Sequence, residues 1–211
     1  MRINMKEALE KWLVADRKKA LPILSFPIAQ KMGLTVTELL NDADTQAKGL
    51  KMLYEEVDAG AVLTYMDLSV EAEAFGGTVV FCDEEVPNVP DPIVETKEDV
   101  EALKVPEVGA GRTDIYVDGC RKAVELINDP EVPVLAGCIG PFSLAGRVMD
   151  LTTLMMNTKR DPDTVHVLLN KCTEFIIKYA QAYKDVGANG IAMAEPLAGL
   201  MRPNLLKEFS S

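Results

Sequence analysis

Two carboxylates, each closing a short apolar run, are the residues of this sequence best placed for chemistry. Ala61-Val62-Leu63-Thr64-Tyr65-Met66 stops at Asp67, and Gly190-Ile191-Ala192-Met193-Ala194 stops at Glu195. The Asp67 run is too short for a lone helix and carries β-branched and aromatic members, so it reads as a buried strand. An acid at the carboxyl end of a strand in a parallel α/β sheet faces the edge where ligands bind, because the loops leaving the strand tips form the concave face that helices leave open. Asp67 is thus a candidate substrate-facing carboxylate. The competing reading is a cap, its side-chain oxygen accepting from the backbone N–H groups of a following turn.

A third candidate is the glycine-rich stretch Gly137-Cys138-Ile139-Gly140-Pro141-Phe142-Ser143, which follows an apolar run and leads into a helix through Leu144 and Met149. Backbone N–H groups in such a turn can approach an anion or a flat ligand closely. The alternative is a strand-to-helix turn that needs glycine only for its torsions.

The elements that must position these residues alternate along the chain. Strands are predicted at Leu21–Phe26, where Pro27 ends the pairing, at Ala61–Met66, at Pro133–Cys138 and at Gly190–Ala194. The third is continuously apolar and is expected to be buried on both faces. Helices are predicted at the amphipathic N-terminus, at Val36–Leu40, from about Thr45 to Val57 and from about Asp114 to Asn128. Thr96-Lys97-Glu98-Asp99 is a capping box with Asp in the usual Glu place. Asp161-Pro162 opens a long helix that keeps Val165, Leu168, Leu169, Cys172, Phe175, Ile176, Tyr179 and Tyr183 on one stripe until Gly187. Between the first acid and the capping box lies an excursion, about residues 74–92, read as a hairpin turning on Gly76-Gly77 and followed by an extended connector at Pro87, Pro90 and Pro92.

Composition narrows the function classes. The 211 residues are 48% hydrophobic, enough for a real core, and are read as one domain, residues 1–211. A net charge of -11 with no basic run argues against nucleic acid. The charged N-terminus is no signal peptide and no segment approaches a membrane span, so no membrane partner and a cytoplasmic location are expected. Cys82, Cys120, Cys138 and Cys172 are spaced without a CxxC pair, which suits reduced, separately buried thiols.

Strands ending in acids beside a glycine-rich strand tip imply a repeated β/α design with one open edge, a (β/α)8 TIM barrel. A closed barrel needs eight strands and about 250 residues. With four strands predicted, only about the N-terminal half is present, and a half barrel leaves an open strand edge and an uncovered apolar interior. The expectation is a fragment, or a chain that another chain completes.

YMDLSVEAEAFGG, VPVLAGCIGPFSLAG, DPDTVHVLLNKC and VGANGIAMAEPLAGLMRP, in that order and spacing over nearly the whole chain, resemble the uroporphyrinogen decarboxylase superfamily. It contains the decarboxylases and the methylcobamide:thiol (coenzyme M) methyltransferases of methanogens and anaerobic bacteria. The resemblance implies a TIM barrel with its site at the carboxyl ends of the strands, and only the N-terminal part of the family's chain. The decarboxylases carry an arginine-rich motif after their first strand, suited to a substrate with many carboxylates. Here that place reads Phe26-Pro27-Ile28-Ala29-Gln30-Lys31, and no arginine occurs between Arg17 and Arg112. A tyrosine of the decarboxylases in the helix after the Gly-Pro turn is matched here by Arg147. Charge therefore places the chain nearer the methyltransferase branch.

What the resemblance implies is a corrinoid-dependent methyltransferase, moving a methyl group from a methylated corrinoid on a partner protein to a thiol or similar acceptor. Asp67 and Glu195 would face the cavity as catalytic acids, Gly140, Pro141 and Phe142 would line it, and Arg147 would meet an acidic group on the ligand. Zinc, which makes a thiolate available at neutral pH, is expected for the branch. Its ligands, a His-x-Cys pair and a later Cys, lie outside this chain, so no metal site is assigned here. His166, in mid-helix, and Cys138, the one thiol on a strand tip, are poor substitutes. The alternatives are a uroporphyrinogen decarboxylase, with Asp67 stabilising a protonated pyrrole, and a non-catalytic truncated or assembly subunit.

Overall fold

The computed structural model describes residues 3–210, apart from the side chains of Ser25 and Phe26. Five helices and a strand come first: α1 (Met5–Val14), α2 (Ser25–Met32), α3 (Val36–Leu40), α4 (Ala43–Glu56), β1 (Val62–Leu63) and α5 (Val70–Ala74). Then follow α6 (Lys97–Ala102), α7 (Thr113–Ile127), β2 (Val134–Ile139), α8 (Pro141–Met149), α9 (Leu151–Arg160), α10 (Pro162–Asp185), β3 (Gly190–Ala194), a 3-10 turn (Pro196–Leu200) and α11 (Pro203–Phe209). The strands form one parallel sheet in the order β1-β2-β3, so their carboxyl ends share one edge.

β2 is central, and all six of its residues are buried, as a continuously apolar run between two neighbours requires. Against one face of the sheet pack α4, α7 and α10, and α8 packs in turn on α10. The stripe predicted on α10 lies in that core, where Phe175 meets Phe75 edge-on at 5.5 Å and Tyr183 donates to Tyr179 at 2.7 Å. The caps behave as their residue types dictate. Thr96 and Asp99 form the reciprocal box, Asp161 accepts from the Thr164 N–H, and Gly187 leaves α10 with a φ of 104°.

Three predicted elements are corrected. Leu21–Phe26 is not a strand: α2 begins at Ser25, and Pro27 falls in its first turn, where a missing N–H breaks no hydrogen bond. The sheet thus has three strands among the described residues instead of four. β1 is only two residues long, because side chains take over its ladder: Gly137 N–H donates to the Thr64 hydroxyl at 2.9 Å and Ile139 N–H to the Glu71 carboxylate at 2.9 Å. The excursion holds a single antiparallel bridge, Val80 to Asn88, and Gly76-Gly77 end α5 rather than turn a hairpin, with Gly76 at a φ of 100°.

The second face of the sheet is also covered in part. Met5 and Trp12 of α1 pack on Ala61, Leu63, Leu135 and Ala192, so the expected uncovered interior is shielded at that end. β3 remains an edge, with Met193 51% exposed on the face that β2 turns to the helices. Cys120, Cys138 and Cys172 are buried, but Cys82, in the excursion, is exposed and departs from the expectation. Among the described residues no helix is long and apolar enough to cross a membrane.

Candidate functional site

Asp67 and Glu195 both leave carboxyl ends of parallel strands and so stand on one edge of the sheet. Neither presents a free carboxylate. Asp67 is 3% exposed; its Oδ1 accepts from Ser69 N–H at 2.8 Å, the Ser69 hydroxyl at 3.0 Å and Val70 N–H at 3.1 Å. That is the capping geometry, and it holds Leu68 between the bonded groups at a φ of 60°, a conformation that a non-glycine residue adopts only when its surroundings impose it. Oδ2 of Asp67 accepts from Arg112 Nη1 at 2.7 Å and from the Tyr116 hydroxyl at 2.7 Å. Arg112 also donates Nε to Glu73 at 2.7 Å and Nη2 to the Ser69 hydroxyl at 2.9 Å.

Glu195 is likewise engaged. Its carboxylate accepts from Phe142 N–H at 3.0 Å, Ser143 N–H at 2.6 Å and the Ser143 hydroxyl, and so occupies the amino end of α8. Gly140 makes room for it, since a Cβ there would overlap the Glu195 carboxylate. The anion-binding turn foreseen at Gly140, Pro141 and Phe142 is therefore filled by the chain's own acid, and the Phe142 side chain is fully buried in the core.

A cavity of about 270 Å³ opens beside α8, bounded by Leu68, Ile139, Ser143, Arg147, Leu197 and the Val89–Pro92 segment of the excursion. Arg147 is its cation. Burial pulls the Arg147 pKa below its ordinary value, with Asp67 and Glu71 opposing, and among the described residues it makes no ion pair. Its hydrogen-bond partner is the Asn88 amide oxygen at 3.4 Å. Two further carboxylates, Asp91 and Asp150, lie on the rim. A wider hollow of about 540 Å³, between Tyr54, Val57 and Val132, lies at the amino ends of the strands, away from these acids.

Behind the cavity sits a residue that reasoning from strand ends passed over. Glu71, 4% exposed, bonds the Ile139 N–H, and burial raises its pKa to about 7, with Asp67 adding to the rise and Ile139 N–H and Arg147 opposing it. Its signal in the sequence was an acid flanked by Val70 and Ala72 just past the strand end, a setting of buried neighbours. Arg112 was visible as the first arginine after Asp67, but nothing local announced that the two pair.

The donors for a resident metal do not assemble. Among the described residues no three His, Cys, Asp or Glu side chains lie together for an ion. His166, in the second turn of α10 and not in mid-helix, stacks on Phe209 at 4.8 Å and has the Glu208 carboxylate at 3.6 Å, and burial pushes the Cys120 and Cys138 thiols up to about 12. These residues do not fit a thiolate-binding zinc site.

Comparison with known proteins places this geometry in a family. The profile of the uroporphyrinogen decarboxylase (URO-D) family matches residues 7–211. A methylcobamide:CoM methyltransferase MtbA of Methanosarcina mazei is 32% identical over 161 residues, 74% of this chain and 46% of its own, and that of Methanosarcina acetivorans is 29% identical over the same shares. A uroporphyrinogen decarboxylase of Myxococcus xanthus is 24% identical over 201 residues, 91% of this chain and 55% of its own. The chain thus spans about half the length of these curated relatives. A solved methyltransferase from Methanosarcina mazei shares the fold, with a TM-score of 0.85 at 24% identity, over 99% of this chain and 64% of that one. With its profile matched from Glu7 onward, the chain belongs to the uroporphyrinogen decarboxylase family.

Proposed function

We infer that this chain is the N-terminal part of a corrinoid-dependent methyltransferase, in which a methyl group passes from a methylated corrinoid on a partner protein to a thiol or similar acceptor. One observation carries the choice within the family: the strand-tip cavity offers Arg147 as its cation, beside Asp91 and Asp150. One guanidinium suits a small acceptor with one acidic group. A porphyrinogen with many carboxylates needs several cations. The names of the Methanosarcina relatives support the same branch.

The methyl group would leave cobalt without its bonding electrons, and the acceptor's sulphur would supply the pair for the new bond while its proton is released. In this reading Arg147 holds the acidic end of the acceptor. Asp67, fixed by Arg112 and Tyr116, shapes the turn that presents Leu68, and Glu195 anchors α8; both act by positioning. No step is assigned to zinc on the residues present. The exposed edge of β3 is where further β/α units would continue the sheet, from the same chain or a second one.

The test combines the chain with the C-terminal portion of the Methanosarcina mazei relative and supplies methylcobalamin with an anionic thiol. Thioether formation that is lost with Arg147→Gln is the expected result. Release of carbon dioxide from uroporphyrinogen, with no thioether, would refute the reading in favour of the decarboxylase. A stable monomer that unfolds cooperatively and gains nothing from the added portion would count against the completed barrel.

A further inference from the structure

Among the described residues Arg147, the cation of the cavity beside α8, stands in no ion pair although Asp91 and Asp150 lie on the cavity rim, and behind it lies an acid that is likewise in no ion pair, Glu71. Arg147 has the Asn88 amide as its partner, while Glu71 accepts one hydrogen bond from another residue, the Ile139 N–H at 2.9 Å, and Ile139 lines the same cavity. The charges acting on Glu71 are Asp67, from the loop after β1, and Arg147, from α8. The other titratable groups against it are Cys138 of β2 and Tyr179 and Tyr183 of α10. Burial pushes the Cys138 thiol to about 12 and both tyrosines well above their ordinary value, so all three are neutral near pH 7. Arg147 is therefore the side chain that favours an ionised Glu71, against burial and the like charge of Asp67.

We propose that an anion entering the Arg147 cavity is taken up together with one proton, which comes to rest on the buried carboxylate of Glu71. This rests on the reading of Arg147 as the anchor for the acceptor's acidic end. The physical reason is charge balance: a bound anion cancels the field of Arg147 at Glu71, and the buried carboxylate then takes a proton from solvent. One O–H bond forms, none breaks within the protein, and the net charge of the cavity region is unchanged. By linkage, the affinity for anions rises as pH falls through neutrality, and a bound anion tightens the hold of Glu71 on its proton by the same factor.

Ethanesulfonate is the probe, because a sulfonate keeps its charge throughout the range. Calorimetric titration of the chain at about pH 6 and about pH 8, each in two buffers of different ionisation enthalpy, reads both the affinity and the protons taken up. The expected result is an affinity about fivefold higher at pH 6 than at pH 8, which is what a rise of one pKa unit on binding, from about 7, gives between those two values, with proton uptake near neutrality. Glu71→Gln should bind equally at both pH values and take up no proton, and Arg147→Gln should not bind. Binding that requires Arg147 but shows neither pH dependence nor uptake overturns the proposal and leaves the anchor standing. No binding, or binding indifferent to Arg147→Gln, overturns the anchor and the proposal together. Should Glu71→Gln fail to fold, the two-buffer measurement on the unaltered chain decides alone.

Discussion

Replacing Glu71 by Gln should free the stability of the fold from pH across one window. The carboxyl is pushed from 4.5 to about 7, chiefly by burial, so the native chain binds this proton more tightly than the unfolded chain does. For a group raised in this direction, the stabilisation is complete below about pH 4.5 and is lost as pH climbs to about 7. A gap of about 2.5 pKa units, at about 1.4 kcal/mol for each, sets the loss at about 3 kcal/mol. That is a large fraction of the roughly 5–15 kcal/mol that holds a typical domain together. Gln keeps the shape and an acceptor for the Ile139 N–H but carries no charge. Urea unfolding followed by circular dichroism should find the two proteins alike near pH 4.5 and the variant more stable by about 3 kcal/mol near pH 8, with an unchanged m-value. Other perturbed acids, such as Asp42, Asp99, Asp150 and Asp161, are shifted downward, so their contribution falls at lower pH and cancels in the difference. Parallel stability curves between pH 5 and 8 would refute the claim that the packing of α5 beneath the tip of β2 holds the proton.

Arg112→Met should cost about 3–5 kcal/mol, because it leaves the buried Asp67 carboxylate without its counter-charge, and adding Asp67→Asn should recover part of that loss in chemical unfolding. Gly140→Ala should destabilise by about 1–3 kcal/mol, since its Cβ overlaps the Glu195 carboxylate, and Glu195→Ala in the same chain should relieve most of the clash; additive losses in the double-mutant cycle would contradict the contact. A thiol reagent should label Cys82 rapidly in the native protein and leave Cys120, Cys138 and Cys172 untouched until denaturant is added, as mass spectrometry of the labelled chain would reveal. Phe175→Ala, which empties the contact between α10 and Phe75, should cost about 3–5 kcal/mol by the same unfolding assay.

Local chemistry was legible wherever it depends on neighbours in the chain. The Thr96 box, the Asp161-Pro162 helix start, the buried stripe of α10 and the β3 boundaries Gly190–Ala194 all follow from spacing and residue type, and the structure has them where the sequence places them. The order of the quoted segments sufficed to name the family, because it records the β/α repeat itself. Where two distant segments compete, the same reasoning failed. Pro27 looks like the end of a strand, yet it is equally at home in the first turn of a helix, and only the packing of α2 against α4 settled which. The length of β1 was decided by Thr64 and Glu71 reaching across to β2, contacts that span 73 and 68 residues.

That acids stand at the carboxyl ends of strands, and that those ends share an edge, was readable from residue order alone, since strand periodicity and parallel β/α order are properties of the chain. What each acid does there depends on the folded arrangement. Asp67 and Glu195 spend their lone pairs on Arg112, Tyr116 and the amino end of α8, while Glu71 is left buried behind Arg147, which among the described residues stands in no ion pair. The reason is physical: a carboxylate's role is set by the donors and the dielectric around it, and both are supplied by residues tens of positions away that come close only when the chain has folded.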